Sequence, residues 1–315
     1  MKELRDILRL VAERPGPLAL ATLVGVEGAS YRRPGARLLM DPQGLLRGSL
    51  SGGCLEGDVH ARALEVMAAG QPRLLRYDLR GDADLVWGSG SGCEGILQVL
   101  VEPLDGPAPW MDWVAEAWSA RRTLTLATDL TEGGLGHRAL DPGTASPAFI
   151  ETLPPPPALW VVGASDDARP LVRMARELGW TVGVLDHRPA FATPARFPEA
   201  DQVLAGQPDK VLPGLRLDAR SAVVLMTHHY GKDLESLRHL LPSDAGYLGL
   251  MGNRSRSRKL LAELSEGGLR ADGRLRTPVG LDLGADTPEG IALAILAEIQ
   301  AALAGRSGGP LRDRG

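Results

Sequence analysis

Both cysteines of this 315-residue chain lie in glycine-rich loops. Cys54 ends a glycine turn that leads into a predicted helix, and Cys93 lies in a second loop of alternating glycines. Structural cysteines usually lie in apolar segments, whereas a thiol at a helix start near arginine is a better nucleophile and soft-metal ligand. We therefore favour function for both thiols over the alternative that they are small residues filling tight turns. The loop residues grouped with them are Ser51, Gly52, Gly53, Glu56 and Glu94.

Arginine dominates the basic residues and forms a second candidate feature. Arg32, Arg33 and Arg37 surround a Pro-Gly turn, and only four lysines occur in the whole chain. Guanidinium groups bind planar anions well, so the turn is a candidate phosphate contact. A biased genomic base composition explains the same excess, and the two explanations are compatible.

The second half carries a modified dinucleotide loop. Gly163 follows an apolar strand, as the first glycine of a G-x-G-x-x-G/A fingerprint would. Ser165 replaces the middle glycine, and two aspartates follow it. Asp186 ends the next strand, where a ribose-binding acid belongs. The fold signal is therefore strong, but the loop disfavours NAD(P), and the aspartates could simply cap the helix.

Two further loops follow later strands of the same half. His228 follows the fourth strand and could move a proton or contact phosphate, or belong to an ordinary polar loop. Gly252 and Arg254 open an arginine-rich helix, where free N–H groups and guanidinium groups favour an anion site. The alternative for this helix is a solvated basic face.

The surrounding elements predict two domains. Residues 158–315 alternate buried strands with helices, which predicts an α/β, Rossmann-like, doubly wound parallel sheet. Residues 1–130 mix helices and strands and predict an α+β domain. Residues 131–157 are rich in Gly, Pro, Ser and Thr, and we interpret them as a linker.

Composition excludes several classes of protein. The net charge of −4 without like-charge blocks argues against nucleic-acid and membrane-surface partners. No apolar run reaches the roughly 18 residues that span a bilayer, and the N-terminus predicts an amphipathic helix, so we expect a cytoplasmic protein. Two cysteines cannot supply a disulfide scaffold or a four-cysteine zinc site.

Several motifs in order resemble the XdhC/CoxI family of xanthine dehydrogenase accessory factors. They are Arg32-Arg33-Pro34-Gly35-Ala36, Gly48-Ser49 with Ser51-Gly52-Gly53-Cys54 and Glu56, Cys93-Glu94-Gly95, Val184–Arg188, Thr227-His228 with Asp233, Tyr247–Gly252 and Pro278–Glu289. The similarity covers most of the chain outside 105–157 and the tail after 304.

The resemblance implies a maturation factor without catalysis of its own. Such proteins bind and protect the molybdenum cofactor and help to deliver its sulfurated form to a molybdenum hydroxylase apoenzyme, with sulfur from a cysteine desulfurase. It implies that Cys54 and Cys93 lie near molybdenum, as ligands or as a sulfur relay. It also implies that Arg32, Arg33 and the Arg254 loop hold the phosphate or the nucleotide extension of the cofactor, and that Asp186 binds ribose if the cofactor is a dinucleotide. A homodimer is the default assembly.

The sequence alone leaves two other functions open. An NAD(P)-dependent oxidoreductase needs a dinucleotide on the Gly163 turn, which nicotinamide-cofactor titration would reveal. A regulatory protein that binds a phosphorylated ligand would show binding but no effect on a hydroxylase.

Overall fold

The computed structural model describes residues 2–80, 95–131, 135–140 and 148–313. The chain divides into two compact units, Met1–Pro155 and Pro156–Gly315. Each unit has its own hydrophobic core.

The first unit consists of two antiparallel sheets and three helices within its described residues. In chain order these are α1 (Lys2–Glu13), β1 (Leu18–Gly28), β2 (Arg37–Asp41), β3 (Gly44–Gly48), α2 (Glu56–Ala69), β4 (Arg73–Asp78), β5 (Gly95–Leu104), α3 (Pro109–Ser119), β6 (Leu124–Asp129), β7 (Gly136–Leu140) and β8 (Phe149–Leu153). The larger sheet has the order β3-β2-β1-β5-β4, and the smaller has β7-β6-β8. The predicted α+β character of this half is confirmed.

The central strand β1 of the larger sheet buries side chains on both faces of the sheet, because successive side chains point to opposite faces and both faces are covered there. Ala21 and Leu23 pack with Val59 and Val66 of α2 on one face. On the other face, Leu20 packs in a second cluster that includes residues of α1, α3, β6 and β8. The smaller sheet thus belongs to the core of the first unit.

The segment 131–157 differs from the predicted linker. It contains β7 and β8, which pair with β6 on either side. Glu151 of β8 forms a buried ion pair with Arg37 of β2, and the Arg37 guanidinium lies 5.3 Å from the ring centroid of Trp110. The Gly- and Pro-rich composition of this segment concealed both short strands, although β7 pairs with the strand directly before it in the chain.

The second unit is a doubly wound sheet, as predicted. Its elements are β9 (Ala158–Val162), α4 (Ala168–Glu177), β10 (Thr181–Asp186), β11 (Gln202–Ala205), α5 (Pro208–Val211), β12 (Ser221–Leu225), α6 (Tyr230–Leu240), β13 (Tyr247–Leu250), α7 (Arg254–Glu266), β14 (Leu275–Arg276) and α8 (Pro288–Leu303). All strand pairs are parallel, in the order β11-β10-β9-β12-β13-β14. The order reverses between β9 and β12, and open α/β folds bind ligands beside the carboxyl ends of strands at such a reversal.

Helices cover both faces of this sheet. α4 and α8 contribute Leu171 and Ile295 to one apolar cluster. α6 and α7 contribute Leu237 and Leu260 to the other. Across the described ranges, no helix is both long enough and apolar enough to span a membrane.

Candidate functional site

The turn that carries Cys54 is organised by one buried carboxylate, Glu56. Its Oε1 accepts hydrogen bonds from the Ser49 hydroxyl at 2.8 Å and from the backbone N–H of Leu50 at 2.9 Å. Its Oε2 accepts from the Ser51 hydroxyl at 2.6 Å and from the N–H of Gly53 at 2.9 Å. The turn therefore surrounds an anion supplied by the chain itself.

The Glu56 carboxylate stays ionised far into the acid range. Burial by itself would raise its pKa, but the hydrogen bonds from Ser51, Ser49 and Leu50 together outweigh burial and lower the pKa to about 2. Glu56 is thus a positioning residue for the turn. Both of its carboxylate oxygens already accept hydrogen bonds from the turn.

Cys54 is half-buried at the end of this turn and packs against the cluster formed by α2 and the larger sheet. Gly52 and Gly53 have φ of +89° and +124°, a backbone region that glycine adopts without steric cost. The glycines let the chain reverse around Glu56 and deliver the thiol directly before α2. Cys93 and Glu94 lie outside the described residues.

The two neighbouring arginines have different surroundings. The Arg32 guanidinium donates to both carboxylate oxygens of Glu3 on α1, each at 2.8 Å. Arg33 is exposed, and no ion pair within the described part of the chain involves it. Arg33 is therefore the member of the pair that can receive an anion without breaking an existing contact.

In the second unit, Gly163 lies where two strand ends meet. A Cβ on Gly163, whose φ is +117°, would collide with the backbone of Met226 and Thr227. The turn after β9 therefore packs directly against the turn after β12, which carries His228. This close approach explains the first glycine of the fingerprint without a ligand.

Asp186 is buried, and contacts within the unit engage both of its carboxylate oxygens. Its Oδ2 accepts the Ala164 N–H at 2.7 Å and the Arg188 side chain at 2.8 Å. Its Oδ1 accepts the Arg188 N–H at 2.8 Å. Burial opposes ionisation, but these hydrogen bonds outweigh it and lower the pKa of Asp186. Asp186 thus holds the Gly163 turn to the end of β10.

Asp167 stands at the start of α4 but makes no side-chain cap. Its Oδ2 instead lies 3.0 Å from Nε2 of His228. This pair connects the turns after β9 and β12. His228 has a φ of +54°, an uncommon value for a residue with a Cβ. A carboxylate occupies the helix start where a dinucleotide would place its pyrophosphate.

A third buried carboxylate, Asp233 of α6, connects the turns after β12 and β13. Its Oδ1 accepts the Thr227 hydroxyl, and its Oδ2 accepts the Arg256 guanidinium at 2.6 Å. Asn253 caps α7 by accepting the N–H of Arg256 at 2.9 Å. Arg256 is therefore used internally, whereas Arg254 on the same helix is exposed.

Sequence reasoning found the loops and singled out Glu56 and Asp186, but it did not predict that these carboxylates hold the loops. The structure brings Ser51, Gly52, Gly53, Cys54 and Glu56 together in the first unit. In the second it brings Gly163 and His228 to adjacent strand ends, and Gly252 to the start of α7, where a Cβ would lie 3.2 Å from Arg256 Nη1. Glu3 and Glu151 have no local sequence signal. Among the described residues, no three side chains of His, Cys, Asp or Glu are grouped to hold a metal ion.

Comparison with known proteins identifies the family. Residues 159–299 match the XdhC Rossmann domain, and residues 11–78 match the XdhC and CoxI family. A Bacillus subtilis protein, described as a probable subunit of xanthine dehydrogenase, is 32% identical over 95% of this chain and 97% of its own length. The chain therefore belongs to the XdhC and CoxI family, as its motifs indicated.

Two other relatives extend this result. A crystal structure described as a xanthine dehydrogenase from Bacillus halodurans has 31% identity and a TM-score of 0.82, over 98% of this chain and 97% of that one. The molybdenum cofactor insertion chaperone PaoD of Escherichia coli is 26% identical over 94% of this chain and 87% of its length. The similarity to a solved structure and to a curated relative thus extends over most of the chain.

Proposed function

We propose that this chain is a maturation factor that binds the molybdenum cofactor as cargo and assists its insertion into a molybdenum hydroxylase of the xanthine or carbon monoxide dehydrogenase type. The observation that carries the proposal is the Cys54 turn, whose shape is set by hydrogen bonds to Glu56. Similarity to an insertion chaperone over 94% of the chain supports it. Protection and sulfuration of the cofactor, with sulfur from a cysteine desulfurase, belong to the same proposal, as do a homodimer and a cytoplasmic location.

The first unit supplies a soft ligand at a fixed place. Cysteine sulfur suits a soft metal centre, and the hydrogen bonds to Glu56 hold the Cys54 turn in a defined conformation. Exposed Arg33 adds a cation for an anionic part of the cargo. The thiol is positioned by the rest of its turn, namely Ser51, Gly52, Gly53 and Glu56. Arg32 is held by Glu3. Cys93 and Glu94 remain candidates for a second contact with the cargo.

The second unit supplies candidate anion contacts. Gly252 and exposed Arg254 lie at the start of α7, and His228 lies at the end of the neighbouring strand. Asp186 serves this unit by holding the Gly163 turn rather than by binding ribose, because its oxygens already accept hydrogen bonds from Ala164 and Arg188.

The same contacts do not fit an NAD(P)-dependent oxidoreductase. The Ala164 N–H is donated to Asp186, and the Asp167 carboxylate lies where pyrophosphate would bind. A bound dinucleotide would have to displace the Asp186 contact and approach the Asp167 charge. The geometry therefore disfavours binding of a nicotinamide cofactor at the Gly163 turn.

The test is molybdenum and pterin content after co-expression with cofactor biosynthesis. We expect near-stoichiometric cofactor in the wild type, a strong loss in Cys54→Ser, and no change in Glu65→Gln, a control on the exposed side of α2. Cys54→Ser with Cys93→Ser extends the test to the second loop.

Each other result has a definite meaning. A wild-type protein without cofactor, despite abundant supply, would refute the maturation role, and NADH titration would then test the rival function. Full loading of Cys54→Ser would refute the role of that thiol while leaving the cargo intact.

A further inference from the structure

Tyr31 is the aromatic side chain that borders the Cys54 turn. It is 75% exposed, against 36% for Tyr230, although exposed aromatic surface is unfavourable in water. Its ring nevertheless has a defined neighbour: a Cβ on Gly52 would lie 3.3 Å from Cδ1 of Tyr31. The ring therefore lies against the glycine turn and leaves most of its surface open.

The same turn presents acceptors rather than donors to its surroundings. The N–H groups of Ser51, Gly52 and Gly53 are all donated to Glu56. In a trans peptide the C=O points opposite to the N–H, so the carbonyl oxygens of Ser51 and Gly52 point away from Glu56. Within the described part of the chain, no hydrogen bond ends on either oxygen.

This polarity is the reverse of a phosphate-binding glycine loop, which aims N–H groups at its ligand. Free carbonyl oxygens accept from amino and ring N–H groups, and an open aromatic ring stacks on flat ligands. A Cβ on Gly53 would meet no atom within 4 Å, so space is open beside the turn. Flat rings with donor edges, such as pterins and guanine, have the matching chemistry.

We propose that Tyr31 and the outward carbonyl oxygens of Ser51 and Gly52 form a binding face for a flat heterocycle with donor groups at its edge. Building on the proposed function, we assign this ring to the pterin of the cargo. Tyr31 is then a specificity residue, and phosphate recognition takes place elsewhere.

The experiment measures binding of 6-hydroxymethylpterin, guanosine and inorganic phosphate to the full chain by equilibrium dialysis. We expect wild type and Tyr31→Phe to bind the pterin alike, and Tyr31→Ala to bind it about tenfold more weakly or worse, since stacking of one base on an aromatic ring is worth about that much. Leu45→Ala, at a residue 50% exposed on β3, is the matched control.

The other outcomes also decide the question. Equal pterin affinity in Tyr31→Ala, or binding of phosphate alone, overturns the inference. Preference for guanosine with the same dependence on Tyr31 supports the face and assigns it to a nucleobase.

Cofactor content of the same co-expressed variants separates the two proposals. If the wild type acquires normal amounts of cofactor and Tyr31→Ala changes neither cofactor content nor pterin binding, this face is refuted and the maturation role stands. Pterin binding that depends on Tyr31, in a wild type that never acquires cofactor, refutes the maturation role and leaves the face standing.

Discussion

Glu56, Asp186 and Asp233 are buried acidic residues that hold loops rather than ligands. Each accepts hydrogen bonds from groups that sequence motifs present as ligand-binding: the glycine turn, the Gly163 turn and the arginine-rich helix. A buried carboxylate costs free energy unless hydrogen bonds compensate it. These three are compensated by the very loops they organise.

We predict that Glu56→Gln destabilises the first unit. The folded pKa of about 2 lies below the ordinary value of 4.5, so the ionised carboxylate stabilises the fold fully above about pH 4.5 and progressively less as pH falls toward 2. The shift corresponds to about 3 kcal/mol. Denaturant unfolding at pH 7 should show a loss of that order, and the difference from wild type should shrink at pH 3.

The control for this prediction is Glu65→Gln. Its side chain is 52% exposed, so its unfolding free energy should change by less than about 0.5 kcal/mol. Equal stabilities of Glu56→Gln and wild type at pH 7 would show that the turn does not depend on the carboxylate.

At the scale of elements, the second unit was the more predictable. Buried apolar strands alternating with amphipathic helices allow few arrangements other than a parallel sheet, so the parallel, doubly wound class of this unit followed from the pattern. In the first unit, β7 and β8 are short strands within a Gly- and Pro-rich segment, and both pair with β6. No local signal specifies such pairing, and the predicted linker therefore concealed part of the fold.

The candidate loops could likewise be predicted from the sequence, but most of the side-chain contacts that hold them could not. Gly163, His228 and Cys54 stood out because of their neighbours in sequence. The contacts of Asp167 with His228 and of Glu3 with Arg32 join residues far apart in the chain. Glu56 is the exception, since an acid directly after a glycine turn at a helix start is a local signal.

We predict a strong energetic coupling between Asp233 and Arg256, whose ion pair joins α6 to α7. Asp233 is fully buried, so its removal leaves the guanidinium without a counter-charge. A double-mutant cycle of Asp233→Asn and Arg256→Met, read by denaturant unfolding, should give a coupling energy of about 2 kcal/mol.

The exposed pair Arg238–Glu263 gives the comparison, because its side chains are 54% and 43% exposed. Its cycle should give less than about 1 kcal/mol. Equal coupling energies in the two cycles would contradict the structural role assigned to Asp233.

At the scale of the whole molecule, the division falls between Pro155 and Pro156. The prolines favour an extended chain there. The smaller sheet lies on the N-terminal side of this division, because β8 pairs with β6 and supplies Glu151 to Arg37.

We predict that a fragment of residues 1–155 unfolds cooperatively and that a fragment of residues 1–130 does not. The shorter fragment lacks both partners of β6 and leaves the Arg37 guanidinium, 4% exposed in the intact chain, without its carboxylate. Thermal unfolding followed by circular dichroism distinguishes the two. Matching melting temperatures would place the boundary of the first unit before β7.

The Asp186 contact has a consequence for the resting protein. Because the Ala164 N–H is donated to a carboxylate of the same unit, this amide does not depend on cargo for its protection. Its deuterium uptake should be slow in the empty protein and change little on loading, unlike loops that order only around a ligand. The unit would then receive cargo as a rigid body, and release would require no melting of this loop.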